Sequence, residues 1–208
     1  MRKFWTLTLV AVLSVAISGA AVASPTIYFN EANYLNDLSL TGAAVVSEGF
    51  EGTAWDGARY PTTASSVVSQ GYTWTGGEAV TTGNGWARTG NWGIFDSWGS
   101  PDQLFTVTSI GTQVGFGGWF ENTTAQSIEF SLDQDLVYTF GLGTPHAFFG
   151  VIDTDGFDNV AMRASNGHWG ADDFTFGTTS DVIPEPGTLM LVGLGLAGLG
   201  ARIRRKRS

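Results

Sequence analysis

The sequence predicts an all-β protein: a single β-sandwich/jelly-roll-like domain of about nine strands with one short N-terminal helix, plus a signal peptide and one C-terminal transmembrane helix. Two observations carry the β prediction. The first is composition: 29 of 208 residues are Gly, 13% are aromatic and only 14% are charged, a balance that starves helices and suits pleated, half-buried surfaces. The second is alternation. In Ser127–Leu132 the apolar Ile128, Phe130 and Leu132 interleave with Ser127, Glu129 and Ser131, and Phe174 and Phe176 alternate with Asp173 and Thr175. That period of two puts one set of side chains on each face of a sheet.

In chain order, residues 1–23 read as a secretory signal. Arg2 and Lys3 precede the apolar run Phe4–Ile17, and Ala21-Val22-Ala23 fits the small-residue cleavage pattern, so cleavage is expected between Ala23 and Ser24. An uncleaved anchor is the alternative. The body, 24–181, is the size of one domain with its own core. Asn30 is placed to cap a helix over Glu31–Leu38, where Tyr34, Leu35 and Leu38 share a face.

Strands are expected near Ala44–Glu51, Tyr72–Thr75, Leu104–Thr108, Val114–Phe120, Ser127–Leu132, Val137–Gly141, Ala147–Asp153, Asn159–Arg163 and Asp172–Gly177, separated by Gly, Asn and Asp punctuation. About nine short strands at this spacing argue for a sandwich or jelly roll. The stretch Gly76–Ser100 is too rich in Gly and Trp to assign.

Charge narrows the partners. The chain carries −9 overall, but two of its ten basic residues lie in the signal and five in the tail. The body keeps Arg59, Arg88 and Arg163 against 18 acids, a net charge of −15. Such a body repels nucleic acid and anionic lipid and attracts divalent cations. With no cysteine there are no disulfides and no thiol chemistry.

The tail, 182–208, has three parts. Pro184-Glu185-Pro186 enforces an extended segment. Gly187–Ala201 is uncharged, and with Arg202 and Ile203 makes a run of 17 residues. As a helix it reaches about 25 Å, near the lower limit for a bilayer. Arg202, Arg204, Arg205, Lys206 and Arg207 form a basic end of the kind that stays cytoplasmic. An ordinary tail anchor is the plain alternative, but it has no need of Pro-Glu-Pro. The tail resembles the PEP-CTERM sorting signal of Gram-negative bacteria. That resemblance implies export across the inner membrane, a transient C-terminal anchor there, recognition by the secretion machinery and an exosortase, and delivery to the cell surface or exopolysaccharide matrix. Within the run, Gly193-Leu194-Gly195-Leu196-Ala197-Gly198 matches a dinucleotide fingerprint. It lacks the flanking strand and the acid some 20 residues on, so its glycines read as helix-packing positions.

The body is similar in outline to many PEP-CTERM bodies: a short helix, Gly49-Phe50-Glu51-Gly52, a Gly-rich middle, Phe148-Phe149-Gly150-Val151-Ile152, and Gly170-Ala171-Asp172-Asp173-Phe174-Thr175-Phe176-Gly177. It also looks like calcium-binding jelly rolls of the carbohydrate-binding-module type. In those, an acid of the first strand and an acid pair of the last meet at one end. The resemblance implies a structural Ca²⁺ held by Glu51, Asp172 and Asp173, since Ca²⁺ takes six to eight oxygens. Solvated strand ends are the alternative. A second candidate is Asp153, Asp155 and Asp158, whose D-x-D-G start matches a calcium loop, although position 12 is Ala164 rather than Glu. A hairpin turn at Asp155-Gly156 is the favoured reading of that stretch.

Trp74, Trp86, Trp92 and Trp98 fall within 25 residues among small polar groups, a setting that suits stacking on sugar rings of an extracellular polysaccharide. The same rings suit a sandwich core. Enzymatic signals are poor. His146 and His168 stand in turn-like contexts without a nucleophile motif. Asp172 and Asp173, as strand neighbours, are expected to point to opposite faces, whereas glycosidase carboxylates flank one bond. Asn122-Thr123-Thr124 matches a glycosylation sequon, discounted for a bacterial product. The reading is therefore a non-enzymatic structural or adhesive surface protein. A carbohydrate-binding module docking on extracellular polysaccharide is the alternative, and a polysaccharide hydrolase comes third.

Overall fold

The computed structural model describes residues 24–96, 104–122, 125, 127–141, 146–164 and 167–179. The signal segment with Ala23, the sorting motif Pro184, Glu185 and Pro186 with the apolar run behind it, and Trp98 lie outside the described residues. Among those described, no helix is long and apolar enough to cross a membrane.

Ten strands form among the described residues: β1 (Thr26–Tyr28), β2 (Ala44–Glu48), β3 (Ala64–Ser69), β4 (Tyr72–Gly83), β5 (Gly93–Asp96), β6 (Leu104–Asn122), β7 (Ser127–Leu132), β8 (Asp135–Gly141), β9 (Ala147–Ala164) and β10 (Trp169–Thr178), with one helix, α1 (Glu31–Leu40). All pairings between them are antiparallel. β6 and β9, 19 and 18 residues long, take part in both layers. Leu104–Thr108 of β6 pairs with Asn159–Arg163 of β9, while Gly115–Phe120 pairs with Ala147–Ile152. Register shifts between Thr108, Gln113 and Gly115 separate the two halves, and such bulges bend a strand. One layer then runs β1-β9-β6-β10-β2, the other β3-β4-β6-β9-β7-β8, and β5 links β4 to β10.

The all-β expectation is met, with differences that have physical causes. Two expected strand pairs are single long strands, β6 and β9. The expected hairpin at Asp155-Gly156 is instead a bend inside β9. Gly156 takes a left-handed φ of 84°, and the partner strand bulges beside it, so the chain turns without reversing. β1, β3 and β5 escaped the pattern. β3, Ala-Ser-Ser-Val-Val-Ser, is an edge strand in which Val68 is exposed, so it does not alternate cleanly. β2 ends at Glu48, three residues before Glu51.

Between the layers lies an aromatic core. Trp74 is fully buried there, in contact with Phe50, Trp55, Phe174 and Phe176 at ring-centroid distances of 5.2–5.7 Å. It is a core residue and not a sugar contact, because every face of its ring is covered. Rings of this size bury large apolar areas, and edge-to-face pairs add to that.

Helix α1 packs on the outside of the first layer. Asn30 caps it as expected, its Oδ1 accepting from Asn33 N at 3.0 Å. Tyr34 and Leu38 face the sheet, both fully buried, and Tyr34 Oη donates to Thr175 O at 3.0 Å. Glycines floor this seat. A Cβ at Gly117 or Gly150 would lie 2.9 Å from Tyr34, and one at Gly115 or Gly177 would strike Leu38. The mid-strand glycines that weaken β propensity are thus what admits the helix.

Candidate functional site

The acids singled out from the sequence converge on one target, the segment between β4 and β5. After Gly83 the chain makes a short 3-10 turn, Asn84–Trp86, then crosses the end of the sandwich through Ala87-Arg88-Thr89-Gly90-Asn91-Trp92 to enter β5. This strap pairs with no strand, so its amide N–H groups need other acceptors. Carboxylates supply them. Asp172 Oδ2 accepts from Arg88 N at 2.8 Å and Thr89 N at 3.0 Å. Asp173 Oδ2 accepts from Arg88 Nη1 at 2.6 Å, and its Oδ1 accepts from Thr89 Oγ1 at 2.6 Å. Glu51 Oε1 accepts from Asn91 N at 2.6 Å and Trp92 N at 2.9 Å.

Two backbone features make this convergence work. Strand alternation would send Asp172 and Asp173 to opposite faces. However, β10 bulges between Asp172 and Thr175 against β6, and Asp173 takes a left-handed φ of 50°. The bulge turns both carboxylates onto the strap, correcting the opposite-face expectation. The corner after β2 does the same for Glu51. Buried Glu48 accepts from Phe50 N at 2.7 Å, and Phe50, at φ 61°, drops its ring into the core. Glu51 then emerges toward Gly90, which has φ 63° and no room for a side chain beside that carboxylate.

Arginines complete the arrangement. Arg59 donates to the carbonyls of Phe50, Glu51 and Gly52 at 3.2, 3.2 and 3.3 Å, and its guanidinium lies 4.3 Å from the Trp92 ring centroid. Arg88 lies 3.9 Å from the Trp119 ring centroid. Cation–π contacts of this kind contribute about 0.5–2 kcal/mol each. Trp86 stacks on Phe95 at 3.7 Å in a seat that exists because Gly83 and Gly170 have no side chains. Trp86 and Trp92 are both partly exposed, each with one face already covered.

Sequence reasoning found Glu51, Asp172 and Asp173 but missed Arg88 and Thr89 as partners of the two aspartates, and Arg59, which pairs with Asp56 while holding the main chain at Glu51. The signal was available: a body with three arginines among 18 acids gives each arginine a strong claim to a carboxylate partner. Among the described residues no group of three His, Cys, Asp or Glu side chains is placed to hold a metal ion. The second acidic candidate is also dispersed. Asp153 accepts from Asp155 N at 3.0 Å, and Asp158 N donates to Asp133 of the β7–β8 turn at 3.1 Å. His146 lies 3.6 Å from Glu121, away from the strap acids in sequence and partner. His168 contributes its backbone carbonyl to Ala125 N at 3.0 Å.

The electrostatics of the two strap anchors differ. Partial desolvation pushes Glu51 up, but hydrogen bonds from Asn91 and Trp92, helped by the charge of Arg59, hold it below its ordinary value. Asp172 is fully buried and its Oδ1 has no hydrogen-bond partner. Burial pushes its carboxyl up from 3.8 to about 6, against the opposing pull of the Thr89 and Arg88 amides.

The chain beyond β10 carries the Pro-Glu-Pro segment, the apolar run and the basic end described above. Residues 182–206 are a PEP-CTERM protein-sorting motif. A PEP-CTERM motif indicates an exosortase-sorted, exported protein with a transient C-terminal membrane anchor and a cell-surface fate. No curated protein matches this chain by sequence. Among solved structures the fold is similar to the K2 cleaved adhesin domain of Lys-gingipain, with a TM-score of 0.45 and 13% identity over 64% of this chain and 99% of that one. It is also similar to the enzymatically active domain of tailspike protein 4 of bacteriophage CBA120, with a TM-score of 0.35 and 22% identity over 53% of this chain and 20% of that one. The chain therefore spans about a fifth of the tailspike chain, and at these scores neither likeness carries function.

The raised Asp172 carboxyl has a signed consequence. The folded state binds this proton more tightly than the unfolded chain, so the contribution to stability is full below about pH 4 and is lost as pH rises through about 6. Asp172→Asn, neutral throughout, lacks that loss. In urea titrations the stability of Asp172→Asn relative to wild type should rise by about 2–3 kcal/mol between pH 4 and pH 8. A difference that stays constant with pH would contradict a buried, raised carboxyl.

Proposed function

We propose that the protein is a non-enzymatic structural or adhesive component of the cell surface or exopolysaccharide matrix, placed there by exosortase processing of its tail. The observation that carries this is the sorting motif at 182–206, joined to a closed sandwich whose conspicuous chemistry is spent internally. Asp172, Asp173 and Glu51 serve the strap, and Trp74 serves the core. Asp172 and Asp173 do not favour a hydrolase reading, because both carboxylates bond the same two strap residues.

Processing gives the direct test. Intact-mass measurement of surface-localised wild-type protein should find the basic end missing. Replacing Pro184-Glu185-Pro186 by alanines should leave the full-length chain in the inner membrane. Surface protein that still ends at Ser208 would overturn the reading.

A second reading, docking on extracellular polysaccharide, is favoured by one observation: Trp86 and Trp92 stand partly exposed at the two ends of the strap. Exopolysaccharide extracted from the source cells should then shift the tryptophan fluorescence of the purified protein, and Trp92→Ala should weaken the response at least several-fold while the melting curve is kept. An identical response in the variant would remove Trp92 from any such site. A structural Ca²⁺ at Glu51, Asp172 and Asp173 is a separate proposal, and it would have to compete with the strap donors that already bond these carboxylates. Its observable is a rise in melting temperature with millimolar Ca²⁺ that chelation reverses, and an unchanged curve argues against it.

A further inference from the structure

The start of the body meets the β9 bend at one corner of the sandwich. β1 pairs with β9 in antiparallel register, with Thr26 opposite Ile152. Continuing that register by two residues brings Ser24 level with Thr154, between Asp153 and Asp155. A second observation agrees. Ser24 lines a cavity of about 490 Å³ together with Asp133, Asp135 and Asp153. Register and cavity thus place the same residue beside the same acids.

The acids reach this corner from three elements. Asp133 lies in the β7–β8 turn, Asp135 opens β8, and Asp153, Asp155 and Asp158 lie on β9. Asp133 accepts from the amides of Asp158 and Asn159 at 3.1 and 3.0 Å, and Asp153 accepts from the amide of Asp155 at 3.0 Å. These are bonds to neutral amides, and no arginine, lysine or histidine lines the cavity. The three arginines of the body are placed elsewhere. Arg59 and Arg88 are engaged at the strap, and Arg163 stands opposite Glu129 on β7. Carboxylates gathered without a cation disfavour one another's charged forms.

Export supplies a cation at this spot. Hydrolysis of the Ala23–Ser24 peptide bond leaves a carboxylate on the released signal and an α-ammonium on Ser24. In the precursor the same nitrogen is a neutral amide.

We propose that the α-ammonium created at Ser24 is the counter-charge of this corner, held by Asp133, Asp135 and Asp153, so that signal cleavage itself fastens β1 to the β9 bend. The inference rests on the expected cleavage between Ala23 and Ser24 and not on the sorting reading of the tail. β1 is the strand that gains most. It is three residues long and pairs with β9 alone, at the chain start, where strands fray unless tied down. The fastening belongs to the mature chain and is missing from the precursor, so maturation raises the stability of the body.

Composition makes the test clean. The two lysines, Lys3 and Lys206, lie in the signal and the tail, so the α-amine is the one primary amine of the processed protein. Acetylation removes its charge, and reductive dimethylation keeps it. Processed protein purified from the surface of the source cells is modified both ways, and intact mass verifies one modification and a start at Ser24. At low ionic strength and about pH 6.5, below the ordinary α-amino range, the acetylated form should melt about 2–4 °C below the dimethylated and unmodified forms, the shift expected for one ion pair in a domain of this size. The gap should close in about 1 M salt, where the Debye length falls to about 3 Å. It should also close with rising pH. Neighbouring carboxylates raise the folded amine above its unfolded value of about 8, so its contribution is full below that pH and is lost as pH rises through the folded value. In Asp135→Asn/Asp153→Asn, which keeps an acceptor for the Asp155 amide, the gap should shrink at least about twofold. Equal melting of the acetylated and dimethylated forms would overturn the proposal, and so would a gap undiminished in the double variant, which would assign it to the bulk of the acetyl group. A mature N-terminus other than Ser24 would overturn it too, while leaving the sorting motif untouched.

Discussion

The end of the sandwich depends on hydrogen bonds from strap amides to carboxylates. A connection that pairs with no strand leaves its amides without ladder acceptors, and the part-buried bonds at Arg88 and Thr89 are the costly ones to lose. Here Asp172 accepts two of them and Glu51 two more. An ionised acceptor makes each bond stronger than a neutral one. With the strap in place, Trp86 is held over its glycine seat, Arg88 over Trp119 and Arg59 over Trp92. The cost falls on Asp172. Its buried second oxygen has no partner, and that desolvation is why its carboxyl titrates near 6.

Much of this was legible in the sequence, and the rest was hidden for identifiable reasons. Composition and the alternation at Ile128, Phe130 and Leu132 gave the β class, and Asn30 gave the helix cap. The tail announced its sorting motif through Pro184-Glu185-Pro186 and the basic end. Strand count was harder, because β6 and β9 bend at bulges that in sequence look like turns. Gly156 sits in such a bend, and an Asp-Gly pair there is indistinguishable from a hairpin signal until the partner register is known. The acids were found, but their purpose depended on a left-handed Asp173 and a left-handed Phe50, neither of which a residue type announces. Trp74 and Trp92 look alike in sequence, yet one is central to the core and the other lies under an arginine at the surface.

At the strap end of the body, charge is concentrated and neutralised locally by arginine and amide donors.

Fastened by carboxylates at both ends, the strap is a fixed element and not a loose loop. Native-state amide hydrogen exchange of the purified body measures this residue by residue. The amides of Arg88, Thr89, Asn91 and Trp92 should exchange at least on the order of 100-fold more slowly than an unstructured chain, with Asp172→Asn shifting Arg88 and Thr89 more than Asn91 and Trp92. Exchange of all four at unstructured rates would contradict the carboxylate-fastened strap.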